Sequence, residues 1–244
     1  MFKIAKRKNI KRLNNVSLCT IMRDEIYNPA GGIEDFIHST LPYVEQAVIV
    51  DTGSVDSTWD KLQEFQQQYT HLRVFQKKFN NFADMRNYAL SFVTTKMVLI
   101  LDADERLTAR DFKRLAKIIN TNPDAIGFKL RTYCIYKDKS EDYEVEGHHP
   151  RLFKIQEGME YRVGKECYGE YLYLDNKCVS QKPNGNVSTN VKIKHFCLGT
   201  AADDMKVDNW YELIKNKGLM NIAPSTVFGF SKWTEFNPRR NLFR

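Results

Sequence analysis

The chain has 244 residues, of which 42% are hydrophobic and 27% charged, with a formal net charge of +7. Such a length supports one substantial core, and the composition lacks the low hydrophobicity and long charge blocks of a disordered chain. No apolar run approaches the roughly 20 residues of a membrane span, and five scattered cysteines (Cys19, Cys134, Cys167, Cys178, Cys197) without a CxxC pair support neither a disulfide framework nor a zinc knuckle, so a reducing, cytoplasmic setting is expected.

Residues 1–14 form a basic arm carrying Lys3, Lys6, Arg7, Lys8, Lys11 and Arg12, without the apolar core of a signal peptide. It reads as a solvated tail, with peripheral membrane contact as the alternative. From residue 16 onward short aliphatic runs alternate with stretches of helical spacing. "VSLCTIM" predicts a strand, "GGIEDFIHSTLPYV" a helix, "QAVIVDTGS" a second strand, and "SVDSTWDKLQEFQQQY" a helix capped at Ser54 or Asp56. "LRVFQ", "NFADMRNYALSFV", "KMVLILDAD" and "TARDFKRLAKIIN" continue the alternation as strand, helix, strand and helix. The regular alternation predicts an α/β fold with a mostly parallel central sheet flanked by helices on both faces.

Beyond residue 125 the pattern loosens. "AIGFKLRTYCIYK", "RLFKIQEGMEYRV" and "NVKIKHFCLG" read as longer strands, the segment from Lys137 to Gly147 as an acidic loop, and residues from Asp203 to Asn216 as a helix. Trp233 with Phe228, Phe230 and Phe236 make the last segment a small aromatic extension, read as core packing, although rings also stack on sugars. His148 and His149 are adjacent, so on an extended segment they face opposite ways and do not suit one metal ion.

The residues that suggest chemistry stand where strands end. "VLILDADERL" carries four aliphatic residues into Asp102, Asp104 and Glu105, and on an extended strand Asp102 and Asp104 project together while Ala103 faces the other side. Clustered carboxylates need positive charge between them, and a divalent cation, Mn²⁺ or Mg²⁺, is the simplest source. A solvated turn is the competing reading for a lone D-x-D. A second strand end delivers Asp51 into the glycine-containing turn of "VIVDTGSVDST", a setting that favours anions or polar ligand groups. Arg86, at a helix start, is placed either to balance the acidic residues or to contact a phosphate.

"SLCTIMRDE", "VIVDTGSVDST", "NFADMRNYAL" and "VLILDADERL", in this order, resemble the nucleotide-binding half of family-2 glycosyltransferases of the GT-A (Rossmann-like) fold, and "PRLFK" and "KIKHF" resemble motifs of a bacterial and viral subgroup. The resemblance implies a domain over residues 15–215, with a nucleotide-binding half at 15–105 and an acceptor half at 106–215, followed by the extension at 216–244. It implies that Thr20, Met22 and Glu25 line the nucleotide pocket, that Asp51 bonds the base, and that Arg86 lies near base or phosphate. Asp102 and Ala103 would contact the donor, and Asp104 would hold the metal. His195 matches a histidine near the diphosphate or in the metal shell, and an ordinary half-buried histidine is the competing reading there. The general base falls on Glu170, with Glu166 second, although the histidine that precedes the base in relatives is absent.

The resulting expectation is a metal-dependent, inverting transferase moving a sugar from a nucleotide diphosphate sugar, UDP by analogy, to a hydroxyl of a glycan, protein or lipid-linked acceptor. An inactive, transferase-like binding module is the alternative. A sugar-1-phosphate nucleotidyltransferase ranks lower, because "CTIMRDEIYN" lacks a glycine-rich loop. Nucleic acid is not an expected partner, since the basic runs sit at the termini and carboxylates occupy the ligand edge.

Overall fold

The computed structural model describes residues 12–26, 31–136, 143–145, 150–163, 170–179 and 185–197. Glu166, Cys167, His148, His149, the helix expected near 203–216 and the extension at 216–244 lie outside the described residues, as does most of the basic arm. No helix among the described residues is long and apolar enough to cross a membrane.

Strand β1 (Leu13–Met22) begins earlier than expected, because Leu13 is already buried in the core. Helix α1 (Gly32–Thr40) runs into a single 3-10 turn at Leu41–Tyr43, where Pro42 is accommodated in the first residues of the turn. Then come β2 (Val44–Asp51), α2 (Thr58–Gln68), β3 (Leu72–Gln76), α3 (Phe82–Leu90) and β4 (Met97–Ile100). Helix α2 starts later than either expected cap: Ser54 turns back to Asp51, while Asp56 accepts from the Thr58 N–H at 2.9 Å. In α3, Asn81 caps by accepting from the Asp84 N–H at 2.8 Å.

β1 pairs in parallel with β2 and β4, and β2 with β3, so the parallel expectation holds over the first half. The second half departs from it. β5 (Glu105–Arg106) is followed by α4 (Ala109–Thr121), which opens on a capping box formed by Thr108 and Asp111. β6 (Gly127–Tyr136), β7 (Tyr143–Val145) and β8 (Pro150–Lys154) follow, and β8 lies antiparallel to both β4 and β6. The "RLFKIQEGMEYRV" stretch is therefore two strands broken by a turn, β8 and β9 (Met159–Val163), with Gly158 at φ 77°. β10 (Glu170–Leu174) and β11 (Lys177–Cys178) join β9 in a small antiparallel sheet. β12 (Asn186–Cys197) pairs with β6 in parallel and with β5 antiparallel. Among the described residues the main sheet runs β3-β2-β1-β4-β8-β6-β12-β5, with β7 on β6.

Both faces of this sheet are buried, which is why its parallel strands read as continuous apolar runs. Leu18, Ile49 and Leu99 point to one face and pack with Phe36, Leu62, Phe112 and Leu115 of α1, α2 and α4. Cys19, Val48, Val98 and Ile100 point to the other, where Ala83, Met85 and Ala89 of α3 meet Tyr161 and Leu172 of the small sheet. The expected two-faced helical cover is thus helical on one face and shared between α3 and a second sheet on the other. That second sheet brings β10 over the carboxyl edge of the parallel strands.

Leu99 is fully buried at the centre of β4, between β1 and β8. Leu99→Ala should cost about 2–5 kcal/mol, the usual range for an unfilled core cavity. The denaturation midpoint measures this, and an unchanged midpoint would contradict the packing described.

Candidate active site

Three parallel strands end at the same edge, and their loops are tied to one another. After β1, the Asp24 N–H donates to Ser54 Oγ at 2.9 Å, and Asp24 Oδ1 accepts from the Val55 N–H at 2.7 Å. The Glu25 N–H donates to Thr58 Oγ1 at 2.8 Å, and the Glu25 carbonyl accepts from the Ile33 N–H at 2.9 Å. Gly32 adopts φ 76°, and a Cβ there would stand 2.5 Å from the Ile26 carbonyl oxygen, so only glycine lets α1 approach this loop. Asp51 is completely buried, and its carboxylate accepts from the N–H groups of Gly53 (2.9 Å) and Ser54 (3.0 Å), from Ser54 Oγ and from Gln76 Nε2 (3.2 Å). The Met22 carbonyl accepts from the Thr52 N–H at 2.9 Å. Asp51 and Met22 therefore shape the turn after β2.

β4 stops at Ile100, and residues 102–105 form a turn closed by the Glu105 N–H donating to the Asp102 carbonyl at 3.0 Å. Asp102 and Asp104 thus project from a turn and do not share one strand face, which corrects the expected geometry. The physical reason is β5: pairing Glu105 and Arg106 with β12 draws the chain away from β4 immediately after Leu101.

Arginines supply much of the positive charge these carboxylates need. Arg86, 3% exposed, donates through Nη2 to Asp102 Oδ1 and through Nε to Glu170 Oε1 at 3.1 Å. Its remaining Nη1 is buried with no hydrogen-bond partner among the described residues. Arg151 pairs with Glu105 Oε2 and stands 3.6 Å from Asp102 Oδ2. Arg106 faces backbone: it donates to the carbonyls of Ala103 (2.6 Å), Glu105 (2.9 Å) and Gly32 (3.1 Å) and to Asp35 Oδ2 (2.9 Å). It ties the carboxylate turn to the start of α1. Burial alone would raise the Asp102 carboxyl, but the guanidinium groups of Arg86 and Arg151 outweigh it and hold the group below its ordinary range. Burial raises Glu105, against the opposing pull of Arg151.

Asp104 behaves differently from its neighbours. Its Oδ2 lies 3.5 Å from His195 Nε2, and both side chains are about a quarter exposed or less (24% and 21%). The pairing of His195 with Glu105 across β12 and β5, together with the Phe196 N–H donating to the Asp104 carbonyl at 3.0 Å, fixes this juxtaposition. Among the described residues no three His, Cys, Asp or Glu side chains converge as a metal cluster. One carboxylate oxygen and one imidazole nitrogen still fit a hard divalent ion that takes its other ligands from water and phosphate oxygens.

Of the residues singled out from the sequence, Arg86, Asp102 and Glu170 meet directly, as do Asp104 and His195. Thr20, Met22, Glu25, Asp51 and Ala103 stand on the same strands and loops, but each is buried by 97% or more. Of the two roles open to Arg86, the structure places it against carboxylates. The Cys19 thiol is fully buried, and burial pushes its pKa up to about 12 despite nearby Arg86, which disfavours the thiolate. Arg106 and Arg151 were missed. Arg151 was visible only as part of the "PRLFK" motif, and nothing local in the sequence marks the partner of either arginine.

The family model described as Glycosyl transferase family 2 matches residues 25–171. A TPR repeat-containing protein of Synechococcus elongatus is 31% identical over 115 residues, covering 47% of this chain and 26% of that protein. The chain thus spans about a quarter of the length of this curated relative. Among solved structures, S. aureus TarS 1-349 aligns with a TM-score of 0.40 and 15% identity over 57% of this chain and 46% of that one. The same protein in complex with UDP-GlcNAc aligns at 0.40 and 17% identity over 52% and 36%.

Because Asp102 titrates below its ordinary range in the folded state, its pairing adds stability that is complete above that range and is lost as pH falls from it through the lower folded-state value. Asp102→Asn should therefore lower stability at pH 7 and by progressively less in acid. Denaturant unfolding at a series of pH values reads this, and an equal loss at every pH would contradict it.

Proposed function

We propose, from the premise that this chain belongs to glycosyl transferase family 2, that it transfers a sugar from a UDP-sugar to an acceptor hydroxyl with inversion, assisted by Mn²⁺ or Mg²⁺. The observation that supports this most directly is the meeting of Asp102 and Glu170 on one buried guanidinium, that of Arg86, beside the Asp104 and His195 pair. Donor-side and acceptor-side carboxylates are thereby held at one edge of the sheet. UDP is the nucleotide favoured by the resemblance of the strand-end motifs, and the acceptor is a glycan, protein or lipid-linked hydroxyl. The GT-A assignment and the two halves, at 15–105 and 106–215, belong to the same proposal.

In this reading Asp104 and His195 hold the ion, which when bound supplies charge neutralisation to the leaving diphosphate. Asp102 is 38% exposed although paired, so it retains an accessible carboxylate edge for a ribose hydroxyl. The turns after β1 and β2, rigidified by Asp24 and Asp51, frame the nucleotide. Glu170 is oriented through Oε1, while Oε2 accepts no hydrogen bond from the described residues. That oxygen takes the acceptor proton as the acceptor oxygen bonds to the anomeric carbon and the bond from sugar to diphosphate breaks, in one displacement. Glu166 remains the second choice for the base.

Thermal-shift titration with UDP, GDP and CMP, with and without Mn²⁺, tests the donor half. UDP at a hundredfold over its Kd should add about 2.7 kcal/mol to native stability, and only with metal. Asp104→Ala should abolish that stabilisation with little change in the unliganded melting temperature; wild-type stabilisation in the variant would remove the metal assignment. Glu170→Gln should leave UDP binding intact and lower transfer about 10²–10⁴-fold, the usual range for a general base. Unchanged turnover would move the role elsewhere.

A further inference from the structure

We propose that Arg151 is a positioning residue for the donor site, acting through Glu105 to fix the backbone that carries Asp102 and Asp104. The proposal rests on the transferase reading above and extends it to residues outside the strand-end motifs.

Three observations carry it. First, Glu105 Oε2 accepts from two places at once: from the Arg151 guanidinium, and from the backbone N–H of Asp102 at 2.8 Å. The side chain of Glu105 thereby determines where the main chain turns at Asp102, and Arg151 determines where that side chain sits. Second, β5 is too short to hold itself. Only Glu105 and Arg106 pair with β12, through His195 and Lys194, so the strand has little ladder of its own. The same two-residue strand sets Asp104 against His195, and an anchor for Glu105 therefore steadies that pair as well.

Third, Arg151 occupies a bulge. On β6, Phe128 pairs with Leu152 and the next residue, Lys129, pairs with Pro150, so Arg151 has no opposite number there. A bulge re-aims the extra residue and leaves its neighbours in register. Leu152 and Phe153 remain fully buried between β4 and β6, which gives Arg151 a rigid base. Its guanidinium is directed at the turn, at Glu105 and 3.6 Å from Asp102 Oδ2. Glu105 is 4% exposed, so the pair is mostly withdrawn from solvent, and its geometry outlasts the screening that loosens surface pairs.

A residue that orients a ligand-holding group through one contact usually changes metal or ligand affinity by about 10–100-fold. The test uses the whole chain as wild type, Arg151→Met, Arg151→Lys, Glu105→Gln, and the double Arg151→Met/Glu105→Gln variant. Two readouts are taken: calorimetric affinity for UDP with Mn²⁺, and amide hydrogen exchange resolved by segment. Arg151→Met should weaken UDP binding by about tenfold or more and accelerate exchange over residues 101–106, with β1 and β2 still protected. The double variant should be no weaker than the worse single variant, because both act through one contact. Arg151→Lys should recover part of the affinity. UDP affinity equal to wild type in Arg151→Met, or additive losses in the double variant, would overturn the proposal while leaving the transferase reading intact. Loss of protection spread evenly over the sheet would also overturn it, as the mark of a merely structural arginine; Arg151→Lys gives the same comparison should Arg151→Met fold poorly. Failure of the wild-type protein to bind any nucleotide would instead overturn the transferase reading itself, and the positioning role with it.

Discussion

Asp102, Glu105 and Glu170 are crowded into one partly dehydrated region, and only guanidinium groups arriving from other elements make that arrangement tolerable. Arg86 comes from α3 and reaches Asp102 and Glu170; Arg151 comes from β8 and reaches Glu105. Glu105 is the most deeply buried of the three, and leaving it unpaired would cost several kcal/mol, on the order expected for a buried charge. The pairing also ties the elements together. α3 packs on the parallel strands, β10 belongs to the small sheet, and the Arg86 contact with Glu170 is part of the polar seam between them.

The seam explains why the small sheet sits where it does. Tyr161 and Leu172 provide the apolar contact with α3 and β4, which is non-directional and sets only proximity. Asn87 adds direction: its amide donates to the Tyr161 carbonyl at 2.8 Å and accepts from the Tyr161 N–H at 2.7 Å. One turn of α3 thus presents Arg86 to a carboxylate and Asn87 to a strand edge. The orientation of Glu170 follows from both.

Charge is partitioned among the side chains of the turn after β4. Two of its three carboxylates are engaged by arginines, and the third, Asp104, is turned toward His195. Three equivalent carboxylates on one short turn would repel one another strongly. Pairing Asp102 and Glu105 with arginines reduces that repulsion. Arg106 adds hydrogen bonds to the carbonyls of Ala103 and Glu105 within the same turn.

The sequence by itself determined the periodic elements of the first half, because period 2 and period 3.6 are local signals: "LRVFQ" became β3 without change. It also implied that the motif-bearing strand ends meet, since parallel strands joined by helices bring their carboxyl ends to one edge. Only the tertiary structure decided the partners. The bond from Arg86 to Glu170, the antiparallel insertion of β8, the bulge at Arg151 and the short β5 that faces Asp104 with His195 all join segments remote in the chain. A guanidinium pairs with any carboxylate that packing brings within reach, so nothing in the local spelling of "PRLFK" or "DADER" could name its partner.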